Sequence, residues 1–199
     1  MELTQDIFAG ASAIIFDCDG TLIDSAPVYV KAWAAAFAAV GGQMDEGWYR
    51  ERNGLSEGVL IEAFERETGL KLDHSKVVRL MRDAYLKSIE GLAEISLIAN
   101  IARRQKGRIP LAVASGGPAG IVRPSLEHLQ LDHLFDKIVT LDDVGVPKPE
   151  PDLFLYAAEL VGVPPQLCVV FEDSEPGLLA AQRAGMRSID VRVHVSIDS

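Results

Sequence analysis

The chain is short of positive charge, of cysteine and of long apolar runs, and each shortage excludes something. Against 29 Asp and Glu stand 19 Lys and Arg, a formal charge of −10 over 199 residues. Nucleic acid and anionic membrane surfaces are gripped through Lys and Arg, so neither is an expected partner. The two cysteines, Cys18 and Cys168, lie far apart inside apolar runs. They make neither a disulfide framework nor a zinc spacing, and read as reduced core residues. No run reaches 18 apolar residues, so no spanning helix is expected. No Lys or Arg precedes Lys31, and Glu2 and Asp6 are the wrong charge for a secretory leader. The expectation is a cytoplasmic protein. A Gly-x-x-x-x-Gly-Lys-Ser/Thr loop is absent, which argues against a nucleotide kinase.

What is present is an ordinary globular composition, 48% apolar and 24% charged. At roughly 150 residues per domain, the length suits one domain, or one carrying a large insert. Four short apolar runs, rich in β-branched residues, suit strands buried on both faces of a parallel sheet. They are Ala13-Ile14-Ile15-Phe16, 109–114, 137–141 and Leu167-Cys168-Val169-Val170-Phe171. A fifth, 188–193, alternates as an edge strand does. Helical patterns near 92–106, 118–130, 151–161 and 175–184 separate the later strands. Strand and helix in this rhythm give right-handed crossovers: an α/β protein with a Rossmann-like, doubly wound parallel sheet. The stretch 25–91 breaks the rhythm with helical patterns alone, at 28–40, 56–68 and 73–90. It is read as a small all-α insert after the first strand, leaving 1–24 and 92–199 as the core.

In an open parallel sheet, ligands bind beyond the carboxyl ends of the strands. The residues there are Asp17-Cys18-Asp19-Gly20-Thr21, Ser115-Gly116-Gly117, Pro147-Lys148-Pro149 and Glu172-Asp173-Ser174. Each has a bland interpretation: acidic turns, a glycine cap, a solvated lysine, acids favouring a helix start. An EF-hand is excluded because Leu22 and Val28 occupy the required Gly and Glu positions. A thiol phosphatase needs Arg six residues after its Cys, where Asp24 and Ser174 stand instead. Together, however, the four loops describe a phosphoryl-transfer site. Its carboxylates and a phosphate dianion face a single lysine, so a divalent cation is required. Oxygen ligands without His or Cys select Mg²⁺ over zinc. His74, His128, His133 and His194 lie outside these loops, and Trp33 and Trp48 read as helix packing.

Asp17-Cys18-Asp19-Gly20-Thr21-Leu22-Ile23-Asp24-Ser25 resembles the first motif of the haloacid dehalogenase superfamily. Ser115, Lys148 and Glu172-Asp173 resemble its second, third and fourth motifs, and the insert resembles its small helical cap. The wording around 168–174 and 183–186 is similar to the β-phosphoglucomutase and sugar-phosphatase branch. This resemblance implies a phosphatase acting on a small phosphorylated metabolite. It makes Asp17 the nucleophile and Asp19 the acid and base. Mg²⁺ would be held by Asp17, the Asp19 carbonyl and Asp173, with Glu172 close by. Ser115, Gly116 and Lys148 would hold the phosphoryl oxygens. Mutases of this branch carry a His twelve residues after the nucleophile and an Arg three after the cap-loop Gly. Tyr29 and Glu57 occupy those positions, which favours transfer to water. A dehalogenase would leave Asp19 and Asp173 without work. A receiver-type phospho-acceptor module would lack both the insert and the Asp-x-Asp-Gly-Thr wording. Arg50, Arg52, Asn53 and Gly54 are the cap candidates for contacting the substrate. A monomer is expected.

Overall fold

The computed structural model describes residue 8, residues 10–52 and residues 54–193. Its strands are β1 (Ala13–Phe16), β2 (Ile23–Asp24), β3 (Ala93–Glu94), β4 (Leu111–Ala114), β5 (Lys137–Val139), β6 (Cys168–Glu172) and β7 (Arg187–Asp190). Five form one parallel sheet in the order β5-β4-β1-β6-β7. β1 takes the centre because Ala13, Ile14, Ile15 and Phe16 are apolar without exception and completely buried. The alternating β7 lies at an edge.

The helices of this unit are α5 (Ser96–Gln105), α6 (Ala119–His128), α7 (Leu141–Val144), α8 (Asp152–Val161) and α9 (Glu175–Arg183). Ala13, Ile15, Ala112 and Val170 face a cluster built with Phe154 and Ala157 of α8 and Ala180 of α9. The alternate residues point the other way, where Phe16 stacks on Phe171 and meets Phe135 edge-on. The strand expected over 137–141 stops at Val139. Thr140 turns the chain instead: its N–H and hydroxyl both donate to Asp143, 2.7 and 2.8 Å, opening α7 with a capping box. The pattern expected as a strand over 188–193 breaks after Asp190, and Val191–Val193 form a 3₁₀ turn.

The chain divides into two compact units, one holding Asp24 and what precedes it together with Ala93 onward, the other Ser25–Leu92. The second is all helical: α1 (Ala26–Ala38), α2 (Glu46–Arg50), α3 (Glu57–Thr68) and α4 (His74–Lys87). Aromatic rings hold it together, with Phe37 stacked on Phe64 at 3.8 Å and Tyr29 against Tyr85 at 4.6 Å. Gly69, at φ +74°, ends α3, and the Asp73 side chain caps α4. No helix among the described residues is long and apolar enough to cross a membrane.

Candidate active site

Asp17 leaves β1 while its N–H still pairs with the Phe171 carbonyl (2.9 Å), so the sheet fixes its backbone. The chain then coils tightly, with the Leu22 and Ile23 N–H groups both donating to the Cys18 carbonyl. Gly20 sits in the coil at φ +83°, and a Cβ there would collide with the Asp173 carboxylate. The glycine thus lets the first and fourth loops close on each other. Thr21 completes that contact by donating its hydroxyl to Asp173 Oδ1 at 3.3 Å.

Lys148 crosses from the third loop, which carries a cis Lys148–Pro149 peptide. Its ammonium donates to Asp17 Oδ1 (2.5 Å) and to Glu172 Oε2 (2.7 Å), and lies 4.9 Å from the centre of the Phe154 ring. The three charged side chains are 10%, 7% and 1% exposed, respectively. The other Glu172 oxygen accepts the Asp173 and Ser174 N–H groups and the Ser174 hydroxyl, 3.1, 3.0 and 2.8 Å. Ser115 follows β4 and is buried, its Oγ accepting the Gly117 N–H at 3.0 Å. A Cβ on Gly117 would stand 3.4 Å from Ser115 Oγ and 3.6 Å from Asp19 Oδ2, which brings the Asp19 carboxylate to the second loop. Gly116 has open space where a Cβ would lie.

Three carboxylates around one ammonium leave negative charge in a buried place. Burial first, and the Glu172 charge second, push the Asp17 carboxyl well above its usual range against the pull of Lys148. The same two causes push Asp173 up to about 7. Burial works to lower the Lys148 ammonium, but Asp17 and Glu172 outweigh it and hold it above the usual lysine value. Burial and the flanking aspartates raise the Cys18 thiol, and burial takes Cys168 up to about 11. Neither is a thiolate nucleophile.

Asp17, Glu172 and Asp173 each offer a carboxylate oxygen, all within 4.8 Å of one another. An all-oxygen cluster of three carboxylates against one ammonium fits Mg²⁺, and the crowded charge is what such an ion would relieve. Glu172 is the most committed of the three, since both its oxygens already accept protein donors.

The candidates of the helical unit fare differently. Arg50 is exposed and paired with Glu46 at 2.7 Å, one helical turn away. Arg52 is engaged within the unit. It stacks on the Trp48 ring at 4.5 Å and donates to the Trp48 carbonyl (2.9 Å), Glu51 (3.2 Å) and Glu67 (2.9 Å). Gly54 makes a left-handed turn at φ +88°. Asn53 and His194 lie outside the described residues. Thr21 and Ser174 stand within the loops at the strand ends but no spacing marks them there, and Gly177 and Phe154 carry no sequence signal. A cleft of about 730 Å³ beside α9 and β7, lined by Pro149, Leu179 and Met186 among others, holds none of the clustered carboxylates.

Residues 14–191 match the family model described as haloacid dehalogenase-like hydrolase. The chain is 35% identical over 182 residues to a fructose-1-phosphate phosphatase of Escherichia coli (strain K12), covering 92% of this chain and 97% of that one. It is 34% identical to a phosphorylated carbohydrates phosphatase of Thermotoga maritima, over 92% of this chain and 85% of that one. The crystal structure of CbbY from Rhodobacter sphaeroides in complex with phosphate superposes with a TM-score of 0.82 at 30% identity, covering 90% and 85% of the two chains.

Proposed function

The chain belongs to the haloacid dehalogenase-like hydrolase family and is a phosphoric monoester hydrolase, and on that premise we propose that it hydrolyses a small phosphorylated carbohydrate through an aspartyl-phosphate on Asp17. The observation that carries this reading is the Lys148 ammonium, shared between Asp17 and Glu172 inside a buried carboxylate cluster.

Asp17, Asp173 and the Asp19 carbonyl would hold Mg²⁺, with Glu172 beside them. When bound, the ion supplies the positive charge that lets a phosphoryl group approach these carboxylates. Asp17 attacks phosphorus as the ester P–O bond breaks, and Asp19 delivers a proton to the departing sugar oxygen. Asp19 then takes a proton from water, which attacks phosphorus and breaks the P–O bond to Asp17. The sum is ester plus water giving alcohol plus phosphate, with Asp17 and Asp19 restored. Lys148, Ser115 and the Gly116 backbone bind the phosphoryl oxygens as charge moves among them.

Transfer to water rather than back to sugar is supported by Tyr29 and Glu57. Tyr29 packs its ring on Tyr85, and Glu57 is paired with Arg82 at 2.8 Å. Substrate choice falls to the helical unit, with Arg50, Arg52, Asn53 and Gly54 as its candidates; a substrate would compete with Glu46 for Arg50 and with Glu67 for Arg52. The net charge of −10 offers nucleic acid and anionic membranes little grip, and the reading is of a cytoplasmic monomer without either partner. A panel of hexose, pentose and polyol phosphates with phosphoglycolate, assayed for released phosphate with Mg²⁺ and with chelator, tests the proposal. Mg²⁺-dependent release that vanishes in Asp17→Asn is expected. Isomer interconversion without phosphate release would overturn it.

A further inference from the structure

The Ser174 hydroxyl works in two directions. As N-cap of α9 it accepts the Gly177 N–H at 3.1 Å, and it donates to Glu172 Oε1 at 2.8 Å. Glu172 Oε2 accepts from the Lys148 ammonium, and the same ammonium reaches Asp17. An unbroken line of hydrogen bonds therefore runs from the first turn of α9 to the attacking carboxylate. Gly177 belongs to this device, because a Cβ there would fall on the Glu172 carboxylate. The helix start thus clears the space for Glu172 and fixes its orientation.

We propose that Ser174 is a positioning residue: acting through Glu172, it holds the Lys148 ammonium against Asp17 and so sets the aim of the lysine at the phosphoryl group. The proposal rests on the phosphatase reading above. The Asp173 and Ser174 N–H groups also hold Glu172 Oε1, at 3.1 and 3.0 Å, but the hydroxyl bond is the shortest of the three. Losing it loosens the lysine without releasing it. The expected penalty is therefore well below that of losing Lys148 itself.

Three variants separate aim from helix capping. Ser174→Gly keeps a serviceable N-cap but has no hydroxyl, Ser174→Ala loses both roles, and Ser174→Thr keeps both. On a sugar phosphate with Mg²⁺, the Gly and Ala variants are expected to lose about tenfold in kcat, a displacement-scale effect, while KM moves less. Ser174→Thr should restore kcat. A second readout needs no turnover: the Lys148 ammonium protons, identified in the NMR spectrum by their disappearance in Lys148→Met. They should be slowed in exchange in the wild-type and Thr proteins and lost to exchange in Gly and Ala. A Gly variant with wild-type kcat, or an ammonium signal indifferent to all three changes, overturns the proposal. If the wild-type protein released phosphate from no ester, the phosphatase reading would fail, and the ammonium signal would still decide whether Ser174 holds Lys148.

Discussion

Gly20 and Gly177 carry no side chain at the two points where a site carboxylate fills the space a Cβ would take. Within a helix, Gly→Ala ordinarily gains about 0.5–1 kcal/mol. At Gly177 the collision with Glu172 wins, since overpacking a full site costs about 1–3 kcal/mol. Gly177→Ala should therefore lower the melting temperature and also the activity, an outcome that helix propensity alone would reverse. Gly20→Ala faces a left-handed φ as well as Asp173, so it should also raise the Mg²⁺ concentration needed for half-maximal turnover. Titration of the same carboxylates supplies a second test. Asp17 and Asp173 are both raised, Asp173 to about 7, whereas unfolded carboxyls titrate near about 4. Without a cation, the folded chain keeps protons that the unfolded chain releases. For Asp173 that stabilisation is complete below about pH 4 and is lost as pH rises through about 7. Mg²⁺ requires the ionised forms and acts in the opposite sense. The melting temperature gained with Mg²⁺ over chelator should be larger at pH 8.5 than at pH 5.5, and equal gains would contradict a shared ion at these side chains.

Elements aim the side chains that residues supply. The short helix α7 and Gly145, at φ +73°, carry the chain from β5 toward Lys148, and Asp143 starts that helix by accepting twice from Thr140. Asp143→Ala should cost about 1–2 kcal/mol, seen as a fall of several degrees in melting temperature at roughly 2–4 °C per kcal/mol for a chain this size. An unchanged melting temperature would mean that Thr140 is satisfied elsewhere. The same helix shows where sequence patterns stop informing. β1 was legible at its observed ends because complete burial leaves an uninterrupted apolar run. Thr140 and Leu141 extend the apolar run of β5 in sequence, yet two hydrogen bonds to the side chain three positions on make them a helix start. β2 and β3 have two residues each, and α2 has five, too few for any periodicity to register. At the site, the convergence of Asp17, Lys148 and Asp173 could be anticipated, because parallel topology gathers strand ends at one edge. The grip of Glu172 on Lys148 could not, since it depends on how one side chain turns within its own loop. Arg52 illustrates the same limit: no spacing rule ties it to Glu67, fifteen residues away.

At the scale of the molecule, the helical unit is spliced into the sheet unit at a single place. Ile23 pairs with Glu94 and Asp24 with Ala93 in the antiparallel β2–β3 ribbon, so the chain leaves and re-enters the sheet unit side by side. The apolar cluster packed by α8 and α9 is built from described residues of the sheet unit, among them Ala13, Ala112, Phe154 and Ala180. A unit with its own core and adjacent splice points tolerates excision. Replacing 25–92 by a short Gly/Ser linker should leave a folded protein with the far-UV signature of a parallel α/β sheet. Its carboxylates, Lys148 and Ser115 all remain, so it should still release phosphate from a small aryl ester in Mg²⁺. On the proposed role of the helical unit in substrate choice, sugar phosphates should suffer the larger loss, because binding energy from the sugar is realised only when there is a sugar to hold. Comparing kcat/KM on the two substrate types reads this directly. Equal losses on both would assign the helical unit to the chemistry itself rather than to the choice of substrate. An aggregated product would show that the sheet unit depends on the insert for its fold.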